Sequence, residues 1–264
     1  MSHAGLTFSY ILRLISSDSD NNYNDPNDWI LNANACKFSD PIALIEPQNV
    51  SAYSSSVLSA DWFNRAAWLV APDLLGRTLV RCVDGEVIRG QIVETEAYEA
   101  GDPAMYAYRN KTERNAVVFG PAGVAYVYRI YRKYCCFNIV TDRDRFASTI
   151  LIRAVHLQQR PSWLASSQET GNEKRGNGRK GKPEKLHRVA AGPGKLCRSL
   201  KIDESLKGLP IHPSSGIWVE AGEPVSTAEI TQTTRIGLSK GVDIPWRWYV
   251  TDAIAVSKKK TDRL

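Results

Sequence analysis

Two glutamates and a tyrosine at alternate positions are the residues of this sequence best suited to chemistry. Glu94, Glu96 and Tyr98 follow an apolar run. Strand side chains alternate between faces, so a strand here would place the three on one face, in line with Ile88 and Ile92. Carboxylates on a face that begins as core need partners or a wet cleft, and perturbed acids in clefts are candidate general bases. The alternative is a strand that runs out into solvent, where most carboxylates lie.

A second candidate site is the β-branched and aromatic segment 117–140. Gly-Pro-Ala-Gly at 120–123 and the polar pair Arg132-Lys133 interrupt the segment, which predicts a β-hairpin with a basic, aromatic tip. An aromatic residue flanked by arginine and lysine suits a phosphate backbone with a stacked base better than it suits a solvent-facing turn. The pattern therefore favours nucleic acid as the partner.

The elements that would position these residues can be predicted from turn and capping signals. Asp84-Gly85 is typical of a type I′ turn and predicts a hairpin of two strands, 78–83 and 86–94, which puts Glu96 at the far end of a paired strand. The other predicted elements are a helix from Ser59 or Asp61 through Leu69 that Pro72 disturbs, a strand at 148–157, a helix that begins at Gly192-Pro193, and late strands at 217–220 and 247–250.

The composition fits one substantial domain with a basic surface. The chain has 264 residues, a hydrophobic fraction of 43% and a formal net charge of +6. Residues 1–60 contain two basic and six acidic residues, so the positive charge is concentrated in residues 61–264. A basic domain favours a polyanionic partner, although excess lysine and arginine can also serve solubility. We expect a poorly ordered extension at 1–60 and one domain at 61–264.

Metal-dependent and membrane-spanning classes are disfavoured. The five cysteines and four histidines lack ligand-type spacings, so no metal site is predicted. The apolar stretch 6–15 is too short to cross a bilayer and contains Arg13, so an intracellular protein with no membrane partner is expected. Segment 166–188 is rich in glycine, asparagine, lysine and arginine, and is either a solvated linker or a DNA contact.

Five sequence blocks, in order along the chain, carry a family resemblance. They are Glu-Thr-Glu-Ala-Tyr at 94–98, Gly-Pro-Ala-Gly-Val-Ala-Tyr-Val-Tyr-Arg-Ile-Tyr at 120–131, Cys-Phe-Asn-Ile-Val at 136–140, Leu-Ile-Arg-Ala-Val at 151–155 and Gly-Pro-Gly-Lys-Leu-Cys at 192–197. With these blocks the chain resembles the alkyladenine (3-methyladenine, or methylpurine) DNA glycosylase family from about Asp61 to Tyr249. Five blocks in register are specific, whereas any one alone would be weak.

The resemblance implies both a fold and an activity. The fold would be α+β, a single mixed domain built on a curved, mostly antiparallel sheet with flanking helices and a protruding β-hairpin that enters DNA. The activity would flip alkylated or deaminated purines out of double-stranded DNA and hydrolyse the N-glycosidic bond, starting base excision repair. The resemblance also implies a monomeric, monofunctional hydrolase that needs no cofactor.

The resemblance assigns roles in the chemistry and in base recognition. Glu96 matches the catalytic glutamate, which would stabilise the sugar cation and take a proton from the attacking water. Arg153 matches the active-site arginine that would orient Glu96 or the water; the alternative is a buried structural ion pair. Tyr98 and Tyr128 would sandwich the flipped base, and Asn138 would disfavour guanine's exocyclic amino group.

The resemblance also assigns a DNA-contacting surface. Tyr131 matches the intercalating tyrosine, with ordinary strand packing as the alternative, and Arg132 and Lys133 would hold flanking phosphates. Lys195 is expected near the DNA surface. Tyr106 is a further expected substrate-binding residue; it stands where the family usually has histidine, and this departure puts lesion preference in doubt.

Two other function classes stay open at this point. One is a catalytically inactive protein that binds lesions or nucleic acid without cutting; the presence of both Glu96 and Arg153 argues against it. The other is an RNA-binding module or enzyme that uses the same basic hairpin, although the paired aromatic sheet motifs typical of such proteins are absent.

Overall fold

An eight-stranded sheet organises the residues that the computed structural model describes, which are 57–105, 107, 110–164 and 184–258. The strands are β1 (Thr78–Val83), β2 (Glu86–Glu99), β3 (Ala125–Ile130), β4 (Tyr134–Val140), β5 (Ser148–Leu157), β6 (Ile217–Glu220), β7 (Ile230–Thr233) and β8 (Arg247–Val250). Six of them follow the order β3-β4-β5-β2-β1-β6, while β8 pairs with the second half of β2 and with β7. These pairings are antiparallel. The predicted α+β class with a mostly antiparallel sheet is confirmed.

The helices of the described residues are short. Those that lie wholly within the described residues are α1 (Ala60–Phe63), α2 (Ala67–Asp73) and α3 (Pro193–Ser199), with 3₁₀ turns at Glu113–Phe119, Leu186–Arg188, Glu204–Leu206, Pro213–Ser215 and Thr227–Glu229. Ser59 is the N-cap of α1, as expected, and accepts a hydrogen bond from the amide of Trp62. The single helix predicted through Leu69 was wrong, because the chain breaks and restarts at Ala67, whose amide donates to Glu99 Oε1 at 2.6 Å.

Both predicted hairpins are present. At the β1–β2 turn, Asp84 and Gly85 have φ values of 51° and 76°, as a type I′ turn requires. At the β3–β4 turn, Tyr131 and Arg132 have φ values of 48° and 56°, and the Lys133 amide donates to Ile130 O at 3.1 Å. Residues 117–119 belong to a 3₁₀ turn, so this hairpin is shorter than predicted.

A β-bulge at Val93 changes which face of β2 enters the core. In the pairing with β5, Ile92 lies opposite Val155 and Glu94 lies opposite Ala154, which leaves Val93 as an extra residue. The alternation of side chains is therefore reset between Ile92 and Glu94.

The bulge corrects one prediction from the sequence. Ile88 and Ile92 pack in the main core together with Ala97. Glu96 and Tyr98 are the chain neighbours of Ala97, so their side chains point to the opposite face of the strand. Ile88 and Ile92 therefore lie on the face opposite to Glu96 and Tyr98. The expected line from the isoleucines to the glutamates was wrong because strict alternation does not foresee an inserted residue. The glutamates occupy the other face of the sheet, outside the main core.

The two faces of the sheet carry different clusters. The main hydrophobic core packs the buried sides of α1, α2 and α3 against one face. A smaller cluster covers part of the opposite face and consists of Met105, Ala107, Val118, Tyr126, Val140 and Ala147, with Tyr98, Val117, Phe119, Val124 and Tyr128 packed against it. Within the described part of the chain, no helix has the length and apolar character needed to span a membrane.

Candidate active site

Glu96 is a fully buried carboxylate with three hydrogen-bond donors around it. Its Oε2 atom accepts from Tyr98 Oη at 2.8 Å and from Arg153 Nη1 at 3.1 Å. Its Oε1 atom accepts from the backbone amide of Ile236 at 2.8 Å. Charge-assisted hydrogen bonds of this kind are strong and directional. The orientation of the carboxylate is therefore fixed by the surrounding protein.

Arg153 reaches two carboxylates because of a second irregularity in the sheet. The β2–β5 register shifts again between Glu94 and Thr95, which leaves Arg153 as an extra residue on β5. Its Nε atom donates to Glu94 Oε1 at 2.8 Å, while Nη1 donates to Glu96. A guanidinium presents its donors in a rigid plane, so these two contacts fix the direction of the group.

Arg153 and Glu94 both keep their charge in the folded protein. Burial lowers the pKa of Arg153, but the Glu96 and Glu94 carboxylates beside it offset this effect and raise the pKa above its ordinary value. Burial likewise raises the pKa of Glu94, but Arg153 and Arg247 hold it below its ordinary value. Glu94 and Glu96 therefore form a buried network of ion pairs with Arg153 and Arg247.

Glu94 is joined to the far C-terminal part of the described chain. Arg247 Nε donates to Glu94 Oε1 at 2.8 Å. Ser257 donates twice, from its amide to Oε2 at 2.7 Å and from Oγ to Oε1 at 2.8 Å. Glu94 thus has no exposed surface and a full set of donors.

Tyr98 links the carboxylate to the apolar cluster. Burial, and then the negative charge of Glu96, raise the pKa of Tyr98 well above its ordinary value, so its hydroxyl stays protonated and donates to Glu96. The guanidinium of Arg235 lies 4.6 Å from the centre of the ring. Arg235 is itself buried in a bidentate pair with Asp102 and donates to Ala97 O. The plane of the Tyr98 ring is therefore supported from one side.

Asn138 and Tyr126 share a row with Glu96 across the sheet. Glu96 lies opposite Leu151, Leu151 opposite Asn138, and Asn138 opposite Tyr126. Directly opposed residues of neighbouring strands point to the same face. Three strand spacings of about 4.8 Å put the backbone of Tyr126 roughly 14 Å from that of Glu96. Asn138 Nδ2 donates to Tyr126 O at 3.1 Å, which orients the buried amide.

Tyr128 lies one pair closer to the hairpin tip on the same face. Its ring centre is 5.3 Å from that of Tyr126, and both rings contact the smaller apolar cluster. Burial is the main cause that raises the pKa of Tyr128, and the charge of Glu96 adds to it. The structure thus brings Glu96, Arg153, Tyr98, Tyr128 and Asn138 together on one face.

The residues predicted to contact DNA lie apart from this cluster. Tyr131 is 88% exposed at the tip of the β3–β4 hairpin, beside Arg132 and Lys133. The Nζ atom of Lys133 lies 5.4 Å from the ring centre of Tyr134. Tyr131 is therefore not packed within a strand, which removes the alternative that it is ordinary strand packing.

Lys195 has protein partners on the surface of α3. Its Nζ atom pairs with Glu184 and donates to Arg188 O at 3.4 Å. The predicted DNA contact of Lys195 stays a prediction, and a phosphate would compete with the Glu184 carboxylate. Tyr106 and most of the basic segment 166–188 lie outside the described residues. Among the residues that are described, no cluster of His, Cys, Asp and Glu side chains could hold a metal ion.

Sequence reasoning missed the partners that come from late in the chain. Arg247 and Ser257 bind Glu94, Ile236 binds Glu96, and Arg235 supports Tyr98. One signal was available for Arg247, a charge within an otherwise apolar predicted strand, because a buried charge needs a partner. Nothing in the local sequence indicates the backbone contact of Ile236.

Comparisons with known proteins show which family the chain resembles. The family described as methylpurine-DNA glycosylase matches residues 61–254. A relative from Synechococcus sp. (strain JA-3-3Ab) is 50% identical over 204 residues, covering 75% of this chain and 97% of the relative. Relatives from Trichodesmium erythraeum and Carboxydothermus hydrogenoformans are 46% and 40% identical, each covering at least 77% of this chain and 99% of the relative. All three carry the name "Putative 3-methyladenine DNA glycosylase".

The matched region contains β1 to β8 and every residue of the cluster around Glu96. It includes Arg153, Tyr98, Tyr128 and Asn138, on which the sequence resemblance rested. The chain belongs to the methylpurine-DNA glycosylase family.

Proposed function

We propose that this protein is a monofunctional DNA glycosylase that removes alkylated or deaminated purines from duplex DNA and so starts base excision repair. Membership in the family supports the activity and DNA as the substrate. The observation that carries the proposal is Glu96, a buried carboxylate oriented by Arg153 and Tyr98 on the sheet face that also bears Tyr128 and Asn138.

The chemistry is hydrolysis at the C1′ atom of the sugar. The bond between C1′ and the purine nitrogen breaks, and its electron pair leaves with the base. The oxygen of a water molecule bonds to C1′, and Glu96 takes the proton that this water loses. Positive charge develops on the sugar as the bond breaks, and the Glu96 carboxylate stabilises it. The products are a free base and an abasic site.

The alkylated base supplies part of the driving force. A purine alkylated on a ring nitrogen is cationic and leaves as a neutral molecule, so a second carboxylate acting as acid is not required. Glu94 is not needed as that second acid, and its oxygens are occupied by hydrogen bonds from Arg153, Arg247 and Ser257. Arg153 orients Glu96 and balances its charge in the resting enzyme.

Base recognition takes place on the tyrosine-lined face. Tyr98 and Tyr128 stack against the two sides of the flipped base, which favours electron-poor alkylated rings. Asn138, whose amide is held by the carbonyl of Tyr126, disfavours guanine's exocyclic amino group. Tyr131 fills the gap left in the duplex, while Arg132 and Lys133 hold phosphates beside it. The protein acts on double-stranded DNA as a monomer.

The test is the release of free base from duplexes that contain 3-methyladenine, 7-methylguanine, hypoxanthine or ethenoadenine. The Glu96→Gln variant should lose on the order of 10²- to 10⁴-fold in single-turnover rate, the usual contribution of a general base, and should still bind lesion DNA. The control is Glu223→Gln, which makes the same change on the exposed surface and should leave the rate unchanged.

Three outcomes would contradict parts of the proposal. Tight binding of lesion DNA with no base release by the native protein would favour an inactive recognition protein. Preferred binding of structured RNA over lesion-bearing duplex would favour an RNA-binding protein. Strand cleavage coupled to base release would indicate an amine nucleophile and overturn the monofunctional assignment.

A further inference from the structure

We propose that Glu94 is a positioning residue for base excision, and that Arg247 and the segment 255–258 hold it in place. This inference rests on the proposed function, since it concerns the step that Glu96 performs. Glu94 does not face the substrate. It acts through Arg153, whose guanidinium it shares with Glu96.

The contacts of Glu94 are more numerous than a simple ion pair needs. Two guanidinium nitrogens and both donors of Ser257 reach its two oxygens, at 2.7 to 2.8 Å. The side chains of Glu94, Arg153 and Arg247 are 8% exposed or less. A carboxylate with this many short donors has one orientation, so the Nε edge of Arg153 has one orientation too.

The segment that carries Ser257 is itself fastened to the domain. Arg188 donates to Val256 O at 2.8 Å and to Ser257 O at 3.3 Å, and Arg247 donates to Lys258 O. Ala255 and Val256 are buried against the bulged residue Val93 and against Ala154 and Tyr249 in a separate apolar cluster. The segment therefore packs at the bulge that turns Glu94 away from the main core.

The charges explain why the arrangement matters for chemistry. Glu94 and Glu96 face Arg153 and Arg247, so the buried charges balance. Without the charge of the Glu94 carboxylate, Arg153 would lose the anionic partner of its Nε atom and would turn its planar fork onto Glu96. Glu96 would then be held in a bidentate pair and would be a poorer acceptor for the proton of water. Glu94 keeps Arg153 on a single contact to Glu96.

The primary experiment compares Glu94→Gln with the native protein by single-turnover base release and by equilibrium binding to the same lesion duplex. We expect the rate to fall on the order of 10- to 100-fold, the size seen when supporting partners of metal-site ligands are removed. The affinity for DNA should stay within about twofold, since Glu94 does not contact DNA. A purely structural residue would change both quantities through loss of folded protein.

Two further variants extend the test, and Ser257→Ala keeps it decisive if Glu94→Gln folds poorly. Ser257→Ala removes one neutral donor and should lower the rate several-fold, whereas Ser205→Ala, which removes a hydroxyl bonded to the surface carboxylate of Asp203, should not. The double variant Glu94→Gln/Arg247→Gln restores the balance of charge. The double variant should release base at least threefold faster than Glu94→Gln.

The outcomes separate this inference from the proposed function. If the native protein releases no base, the proposed function fails. If the native protein is active and Glu94→Gln, Ser257→Ala and the double variant all release base within about twofold of the native rate, only the positioning role of Glu94 fails. A loss of rate matched by an equal loss of DNA affinity would also overturn it.

Discussion

The carboxylate cluster of β2 and the tip of the β3–β4 hairpin belong to one sheet and are built in opposite ways. In the cluster, Glu94 and Glu96 have no exposed surface, and their carboxylates accept hydrogen bonds of 2.7 to 3.1 Å. At the tip, Tyr131 is 88% exposed, and Tyr131 and Arg132 both adopt left-handed backbone conformations that non-glycine residues seldom occupy.

Under the proposed function, the difference follows from what each region would have to do. Stabilising charge at a reacting carbon requires donors and anions that are already in place, because reorientation costs free energy during the reaction. Entering a duplex requires an aromatic side chain that is free of protein contacts and a turn narrow enough to fit between strands. Burial and a full set of hydrogen bonds suit the stabilisation of charge, while exposure and a tight turn suit entry into a duplex.

The largest expected effect is the difference in stability between removing an arginine charge from the carboxylate cluster and removing one from the hairpin tip. Arg153→Gln leaves buried carboxylates without a partner and should lower the free energy of unfolding by about 3–5 kcal/mol. Arg132→Gln should change it by less than about 0.5 kcal/mol. Urea denaturation of both variants measures the contrast. Equal losses would show that the cluster is not more tightly constrained than the tip.

The second effect concerns Tyr131, the residue proposed to act as a wedge by filling the gap left by the flipped base. Tyr131→Ala should slow base release from fully paired duplex roughly 10- to 100-fold, because the cost of flipping, a few kcal/mol, is no longer offset by filling the gap. Release from a mismatched or single-stranded lesion should fall much less. Tyr131→Phe keeps the ring and serves as the control. A uniform loss on all substrates would contradict a wedge and indicate a general binding contact.

The third effect is a loss of stability in acid to which the cluster contributes and the tip, which has no carboxylate, does not. The folded state holds the pKa of Glu94 below its ordinary value of 4.5. The resulting stabilisation is complete above that value and is lost as the pH falls through the lowered folded-state pKa. Urea unfolding between pH 7 and pH 3 should show a smaller acid loss in Glu94→Gln than in native protein. Arg132→Gln should keep the native pH profile.

The smallest effect tests the backbone of the tip. Arg132→Gly removes the cost of about 1–2 kcal/mol that a non-glycine residue incurs in a left-handed conformation. Glycine also raises the conformational entropy of the unfolded chain, which offsets part of this gain. We expect a net stabilisation of about 0.5 kcal/mol over Arg132→Gln, which removes the same charge. Thermal unfolding of the pair measures it. A less stable glycine variant would show that the turn is not strained.

Local signals predicted the local parts of the fold. Asp84-Gly85 specified its turn, and the boundaries of β1 and of the strand at 148–157 followed from β-branched runs between turn residues. The basic, aromatic tip at Tyr131 was also visible, because its residues are adjacent in the chain. In each case the interactions that decide the structure lie within a few residues of one another.

Other parts depend on contacts that the local sequence does not contain. The bulge at Val93 breaks the alternation on which the shared face of Ile92 and Glu94 was predicted. The donors from Arg247 and Ser257 come from more than 150 residues further along the chain. Register shifts and distant partners are set by tertiary packing, which periodicity and propensity do not describe.

The bulge in β2 has a consequence for how this strand tolerates change. Before Val93, the side chains of Ile88 and Ile92 pack in the main core, and after it Glu96 and Tyr98 lie on the opposite face, where we propose that they serve catalysis. Substitutions of Ile88 and Ile92 should therefore act on stability alone, whereas those of Glu94, Glu96 and Tyr98 should act on activity as well. Deleting a single residue at the bulge would exchange the two faces and remove both at once.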